Sequence, residues 1–91
     1  MVTALVMMKT EPHKIPESAQ LIADIEEVDA VYSVTGKWDL VATVNTVDFE
    51  DLSEVIPAKI AKVATIYETE TMVAFRTYSS QDLEAGFALG E

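Results

Sequence analysis

Apolar positions recur along the chain with two different periods, and each change of period marks a new element. From Val2 to Met8 the residues are apolar on both faces. That is the pattern of a strand inside a sheet rather than at its edge. After the polar loop Lys9-Thr10-Glu11-Pro12-His13, the residues Ile15, Ala19, Ile22 and Ile25 form one stripe along a helix of about three turns. Pro16 fits its first turn, where a missing N–H costs nothing, and Glu17 suits the positive end of the helix dipole. The stretch Ala30 to Val44 then brings two runs rich in Val, Thr and Tyr together at Gly36, the only glycine among the first 85 residues. It predicts a hairpin, with Gly36 supplying the positive φ of the connection. Beyond it Asp48 caps a second helix, with Asp51 at the third helical position, and Phe49, Leu52, Ile56, Ile60 and Val63 form the buried stripe. Pro57 removes the bond to the Ser53 carbonyl; because the stripe stays in phase across it, a kink near Val55 and Ile56 is expected rather than a break. Finally, Ile66 to Arg76 alternates, with Tyr67, Thr69, Thr71, Val73 and Phe75 on one face and the glutamates on the other.

The order strand, helix, strand, strand, helix, strand is the ferredoxin-like βαββαβ arrangement of the α+β class. An antiparallel four-stranded sheet with two helices on one face follows. Its other face carries apolar side chains from the first and third strands and is left bare in a monomer, so a second copy is the simplest cover, as in dimeric α/β barrels. Ninety-one residues suffice for one domain, placed at residues 1–78, and bury roughly 60–65% of the surface of the unfolded chain. Residues 79–91 form a tail in which Leu83, Phe87 and Leu89 suit a short helix or packing on a neighbour. An apolar fraction of 49% also favours self-association.

Charge narrows the set of partners. Sixteen acidic residues against six basic ones give a net charge of −10, which repels a nucleic-acid duplex and an anionic membrane surface, so direct binding of either is not expected. The absence of cysteine excludes disulfides, thiolate metal sites and cysteine nucleophiles, and fits a reducing compartment. Lys9 interrupts the apolar start after eight residues, too soon for a membrane span, and the start lacks the basic head of a signal peptide. A cytoplasmic protein is expected.

Catalytic signatures are missing: there is no P-loop, no Gly-rich dinucleotide fingerprint and no pair of histidines at metal-binding spacing. His13, the single histidine, sits in a Pro-flanked loop and reads as exposed and inert, and Ser79 and Ser80 have no histidine placed to activate them. The clusters Glu26, Glu27, Asp29 and Glu50, Asp51, Glu54 read as solvated surface rather than a metal site. No catalytic residue, metal or cofactor is expected. Gly36-Lys37-Trp38-Asp39 differs, since it packs a flexible backbone, a cation, the only Trp and a carboxylate into four residues. One reading is structural: Gly36 serves the turn, Trp38 packs at an interface and Asp39 caps local N–H groups. The other is functional. Asp39 receives an α-ammonium and the N–H groups around Gly36 receive an α-carboxylate, which answers both ends of a free amino acid. Residue types alone do not choose between them.

The segment Val31-Tyr32-Ser33-Val34-Thr35-Gly36-Lys37-Trp38-Asp39-Leu40, followed by Thr65-Ile66-Tyr67-Glu68-Thr69-Glu70-Thr71-Met72-Val73, resembles the effector-binding domain of the Lrp/AsnC, or feast/famine, transcription regulators. The resemblance covers residues 1 to about 77 and rests on the Thr-Gly-x-x-Asp loop (residues 35–39) and the Thr-Glu-Thr strand (residues 69–71). It implies a homodimer that pairs through its sheets and assembles into a ring such as an octamer, with small effectors, typically amino acids, bound where dimers meet. By that resemblance Gly36, Lys37, Trp38 and Asp39 form one wall of a pocket, Thr69 and Thr71 contribute hydroxyls to it, and Trp38, at a variable position, sets side-chain preference. The family's helix-turn-helix domain has no counterpart before the first strand. The resemblance therefore implies a stand-alone sensor, one that mixes with full-length Lrp/AsnC regulators or modulates another partner.

Two competing classes share the strand order. A small dimeric α/β-barrel enzyme, of monooxygenase or isomerase type, needs convergent polar groups between sheet and helices, and the two helical stripes offer none. An ACT-like regulatory module depends on a turn after the first strand, where this chain has Lys9-Thr10-Glu11-Pro12 and no glycine.

Overall fold

The computed structural model describes residues 1–78 and Ser80; the expected tail helix around Leu83, Phe87 and Leu89 lies outside the described residues. In chain order the elements are β1 (Val2–Thr10), α1 (Ile15–Ala23), β2 (Val28–Ser33), β3 (Leu40–Thr46), α2 (Phe49–Val55) and β4 (Ile66–Val73). They form one antiparallel sheet in the order β2-β3-β1-β4. The ferredoxin-like reading and the interior place of β1 therefore hold.

Alternation along β1 and β3 splits their side chains between two faces. Ala4, Val6, Met8 and Thr10 of β1, with Leu40, Ala42, Val44 and Thr46 of β3, are buried against the helices. Ile22 of α1, Val28 of β2, Leu52 and Val55 of α2, Ile60, and Ile66 of β4 complete this core. Each large side chain taken fully out of water contributes roughly 1.5–3 kcal/mol. Among the described residues no helix covers the opposite face. Register pairs Tyr32 with Val41, Val41 with Met7, and Leu5 with Met72, so all four strands place apolar side chains on this face, with Thr43 beside Leu5 and Glu70 beside Met7.

Local chemistry explains where the helices stop. Asp48 accepts the Asp51 N–H at 2.9 Å, the expected cap, while Phe49 beside it is 60% exposed and does not join the buried stripe. Pro57 neither breaks the second helix nor kinks it simply. The chain widens into a π-helical turn over Ile56–Ile60, closed by the Ala61 N–H donating to the Ile56 carbonyl at 2.9 Å. Wider spacing absorbs the missing proline N–H and keeps Leu52, Val55 and Ile60 on the core side. The first helix is shorter than its apolar stripe: it ends at Ala23, and Ile25 packs on the core from beyond it. In β4 the register shifts opposite Lys9 and Thr10, so Ile66 is the buried residue and Tyr67, expected on the threonine face, is 66% exposed at the irregularity.

Candidate functional site

The connection between β2 and β3 is drawn closed by the Val34 N–H donating to the Asp39 carbonyl at 3.0 Å. Gly36 at its tip has φ of +102°, a conformation strained for any L side chain, although a Cβ there would meet nothing within 4 Å. Backbone geometry, not space, requires the glycine. Among the described residues the N–H groups of Thr35, Gly36, Lys37 and Trp38 donate to no protein acceptor. Four successive open donors on a glycine-centred loop are suited to receiving an anion.

Asp39 is held against β1 at two points. Its N–H donates to the Met8 carbonyl at 3.0 Å, and its Oδ2 accepts the Thr10 N–H at 3.0 Å. The structural reading is thus half met: Asp39 does satisfy a backbone donor, but one from another strand rather than a local one. Its Oδ1 has no partner among the described residues and is not sealed from solvent, so the carboxylate keeps one oxygen for a cation. Trp38 is half-buried beside it, with the Lys37 ammonium 5.4 Å and the Lys9 ammonium 6.0 Å from its ring centroid. Both distances lie within cation–π range.

Thr69 and Thr71 reach the same end of the sheet from the other side of β1. Thr69 pairs with Met8 and Thr71 with Val6, while Met8 pairs with Leu40 next to the loop. Two inter-strand steps, roughly 10 Å, separate Thr69 from Leu40 within one chain. Both threonines are exposed on β4, the edge strand. Gly36 to Asp39 are therefore brought together, and the threonines are close to them but stand apart across β1.

Behind the loop lies a polar cluster absent from the sequence expectations. The Thr10 hydroxyl donates to the Thr65 carbonyl at 2.9 Å, the Ser18 and Thr10 hydroxyls are 2.8 Å apart, and Ser18 also bonds the Thr65 hydroxyl. Since Thr10 gives its proton to a carbonyl, Ser18 must donate to Thr10 and Thr65 to Ser18, a single head-to-tail order. Thr10 and Ser18 are buried, and these bonds tie β1, α1 and the start of β4 together just behind Asp39. The space between sheet and helices thus holds polar groups after all. They are hydroxyls committed to one another, with no carboxylate, imidazole or amine among their hydrogen-bond partners. The signal was present: Ser18 stands three residues after Ile15 and four before Ile22, inside the buried stripe, and Thr10 alternates in phase with Met8.

At the opposite end of the sheet a concavity of about 420 Å³ is bordered by Glu26, Glu27, Asn45, Asp51, Glu54 and Lys59. The fold brings the two acidic clusters to one rim. Lys59 donates to both Glu27 carboxylate oxygens, at 2.9 and 3.0 Å, and these bonds hold the Glu27 pKa below the usual carboxylate value. Among the described residues no group of three or more acidic or histidine side chains is placed to hold a metal ion. No helix among them is long and apolar enough to cross a membrane.

Residues 3–83 match the family model described as the Lrp/AsnC ligand binding domain. An uncharacterized HTH-type transcriptional regulator of Pyrococcus furiosus is 31% identical over 72 residues, covering 79% of this chain and 49% of that protein. The chain spans about half the length of the curated relatives it matches. TTHA0845 from Thermus thermophilus superposes with a TM-score of 0.81 at 38% identity, over 87% of this chain and 99% of the solved one. A transcriptional regulator of Neisseria meningitidis solved as an L-Met complex shares the fold, with a TM-score of 0.75 at 12% identity over 87% of this chain and 54% of its own. The curated relatives are named as transcriptional regulators, and the chain belongs to the Lrp/AsnC family, matching its ligand-binding domain.

Proposed function

We propose that this domain senses a free amino acid in the loop 35–39. The observation that carries the reading is the adjacency of opposite binding groups: four open N–H donors around Gly36 for the α-carboxylate, and the unpartnered Oδ1 of Asp39 for the α-ammonium. Lys37 and Trp38 line the side-chain end of the pocket. Thr69 and Thr71 add hydroxyls from a neighbouring subunit, a placement consistent with their exposure on an edge strand. The fold-level likeness to a regulator that holds L-Met supports an amino acid as the effector class.

The apolar side chains on the second sheet face support a homodimer, and dimers assemble into a ring such as an octamer that closes the pocket. With a net charge of −10 the chain does not bind DNA itself; it modulates full-length Lrp/AsnC regulators by mixing into their assemblies. A thermal-shift panel of the twenty common amino acids tests the sensing step. A ligand at about 100 times its dissociation constant adds roughly 2.7 kcal/mol of stability, a rise of several degrees for a domain of this size. No shift with any amino acid, from folded protein, would refute the proposal.

A further inference from the structure

The chain has six basic residues, and two of them, Lys9 and Lys37, gather on the one tryptophan. They come from different elements, Lys9 from β1 and Lys37 from the loop. Among the described residues neither ammonium lies within 4.0 Å of a carboxylate; the one ion pair is Lys59 with Glu27, at the other end of the sheet. Lys9 stands opposite Glu68 in the β1–β4 register without forming an ion pair to it. In a chain with sixteen acidic side chains, two cations set on one ring, neither of them in an ion pair, bring positive charge to the loop. The indole face attracts each of them, but they repel one another, and an anion beside the ring removes that repulsion.

Resting on the loop 35–39 as the pocket, we infer that the effector carries a second carboxylate and is an acidic amino acid of the glutamate or aspartate type. The loop and the adjoining end of β1 offer three stations: Asp39 Oδ1 for the ammonium, the open N–H groups for the α-carboxylate, and Lys9 with Lys37 beside Trp38 for the side-chain carboxylate. A neutral side chain leaves the two ammonium groups without an anion, and an amide offers only a weaker dipole. The negative net charge opposes an anion at long range, but salt screens that field beyond about 8–10 Å, so the nearby lysines decide.

Isothermal titration of glutamate, aspartate, glutamine and asparagine into wild-type protein, Lys9→Gln/Lys37→Gln and Asp39→Asn, all at one ionic strength, tests this. The acids should bind wild-type protein at least about tenfold more tightly than their amides, as expected for exchanging a charged hydrogen bond for a neutral one. The double lysine variant should lose that preference, its affinity for the acids falling to its affinity for the amides, and Asp39→Asn should weaken all four. If Lys9→Gln/Lys37→Gln unfolds, Lys37→Gln alone, in the exposed loop, should reduce the preference. Amides that bind as well as acids, or a preference that survives loss of the lysines, would overturn the inference while amide binding sensitive to Asp39→Asn leaves the pocket standing. No binding by any of the four would overturn the inference, and no thermal shift with any of the twenty would overturn both.

Discussion

Asp39 carries two separable duties, and two substitutions should pull them apart. Its Oδ2 satisfies the Thr10 N–H at 3.0 Å, and Thr10 is only 1% exposed, so in Asp39→Ala that buried donor loses its acceptor and water is poorly placed to replace it. An unsatisfied buried donor costs about 1–3 kcal/mol. For a domain of this size that lowers the melting temperature by roughly 5–15 °C. Asp39→Asn keeps an oxygen for the Thr10 N–H and trades a charge-assisted bond for a neutral one, at a cost of about 1 kcal/mol or less. Both variants, however, lack the negative charge proposed to receive the effector's ammonium. Chemical denaturation at fixed protein concentration, with and without effector, should show Asn close to wild type and Ala well below it, with ligand stabilisation lost in both. Equal stability of Ala and Asn would refute the structural duty of Oδ2, and an undiminished ligand effect in Asn would refute its role in recognition.

Three further outcomes follow from other parts of the molecule. Ser18→Ala removes the central hydroxyl of the chain linking Thr10 to Thr65 and should cost about 1–2 kcal/mol; combined with Thr10→Val the loss should be smaller than the sum, which a double-mutant denaturation cycle measures. Glu27 has a folded-state pKa lowered by its bonds to Lys59, so its contribution is present above the unfolded carboxylate value of about 4.3 and is lost as pH falls through the folded value. The effect is small because both side chains are partly exposed, and Lys59→Met should remove it from the acid limb of the stability profile. Val41→Glu places a charge among the apolar side chains of the second sheet face, opposite Tyr32 and Met7, and should convert the proposed homodimer into monomer by light scattering while leaving the fold intact by circular dichroism.

The fold was legible wherever one period ran uninterrupted. β1 is apolar on both faces because it lies between β3 and β4, and the Asp48 cap is visible in sequence because capping is local. What escaped were features that depend on long-range register. Tyr67 looked in phase with Thr69, but the irregularity opposite Lys9 and Thr10 passed the buried place to Ile66. Phe49 looked like core, yet as the first residue of α2 it stands 60% exposed. The candidate loop was legible in its residue types, while its clamp to β1 was not, because the Thr10 N–H and Asp39 lie 29 residues apart. Nor does any local rule bring Lys9 to the ring of Trp38. Proline at position 57 announced an interruption, and only the packing of Leu52, Val55 and Ile60 decided that a π-helical turn absorbs it.

The most direct test of the sensing loop is a nitrogen–proton correlation spectrum of uniformly labelled wild-type protein, titrated with whichever amino acid stabilises it most. Binding in the loop predicts that the largest changes fall on the amides of Gly36, Lys37 and Trp38, the Trp38 indole N–H, and Thr10 behind Asp39. Changes concentrated instead on Glu27, Asn45, Asp51 and Lys59, around the concavity at the other end of the sheet, would contradict it.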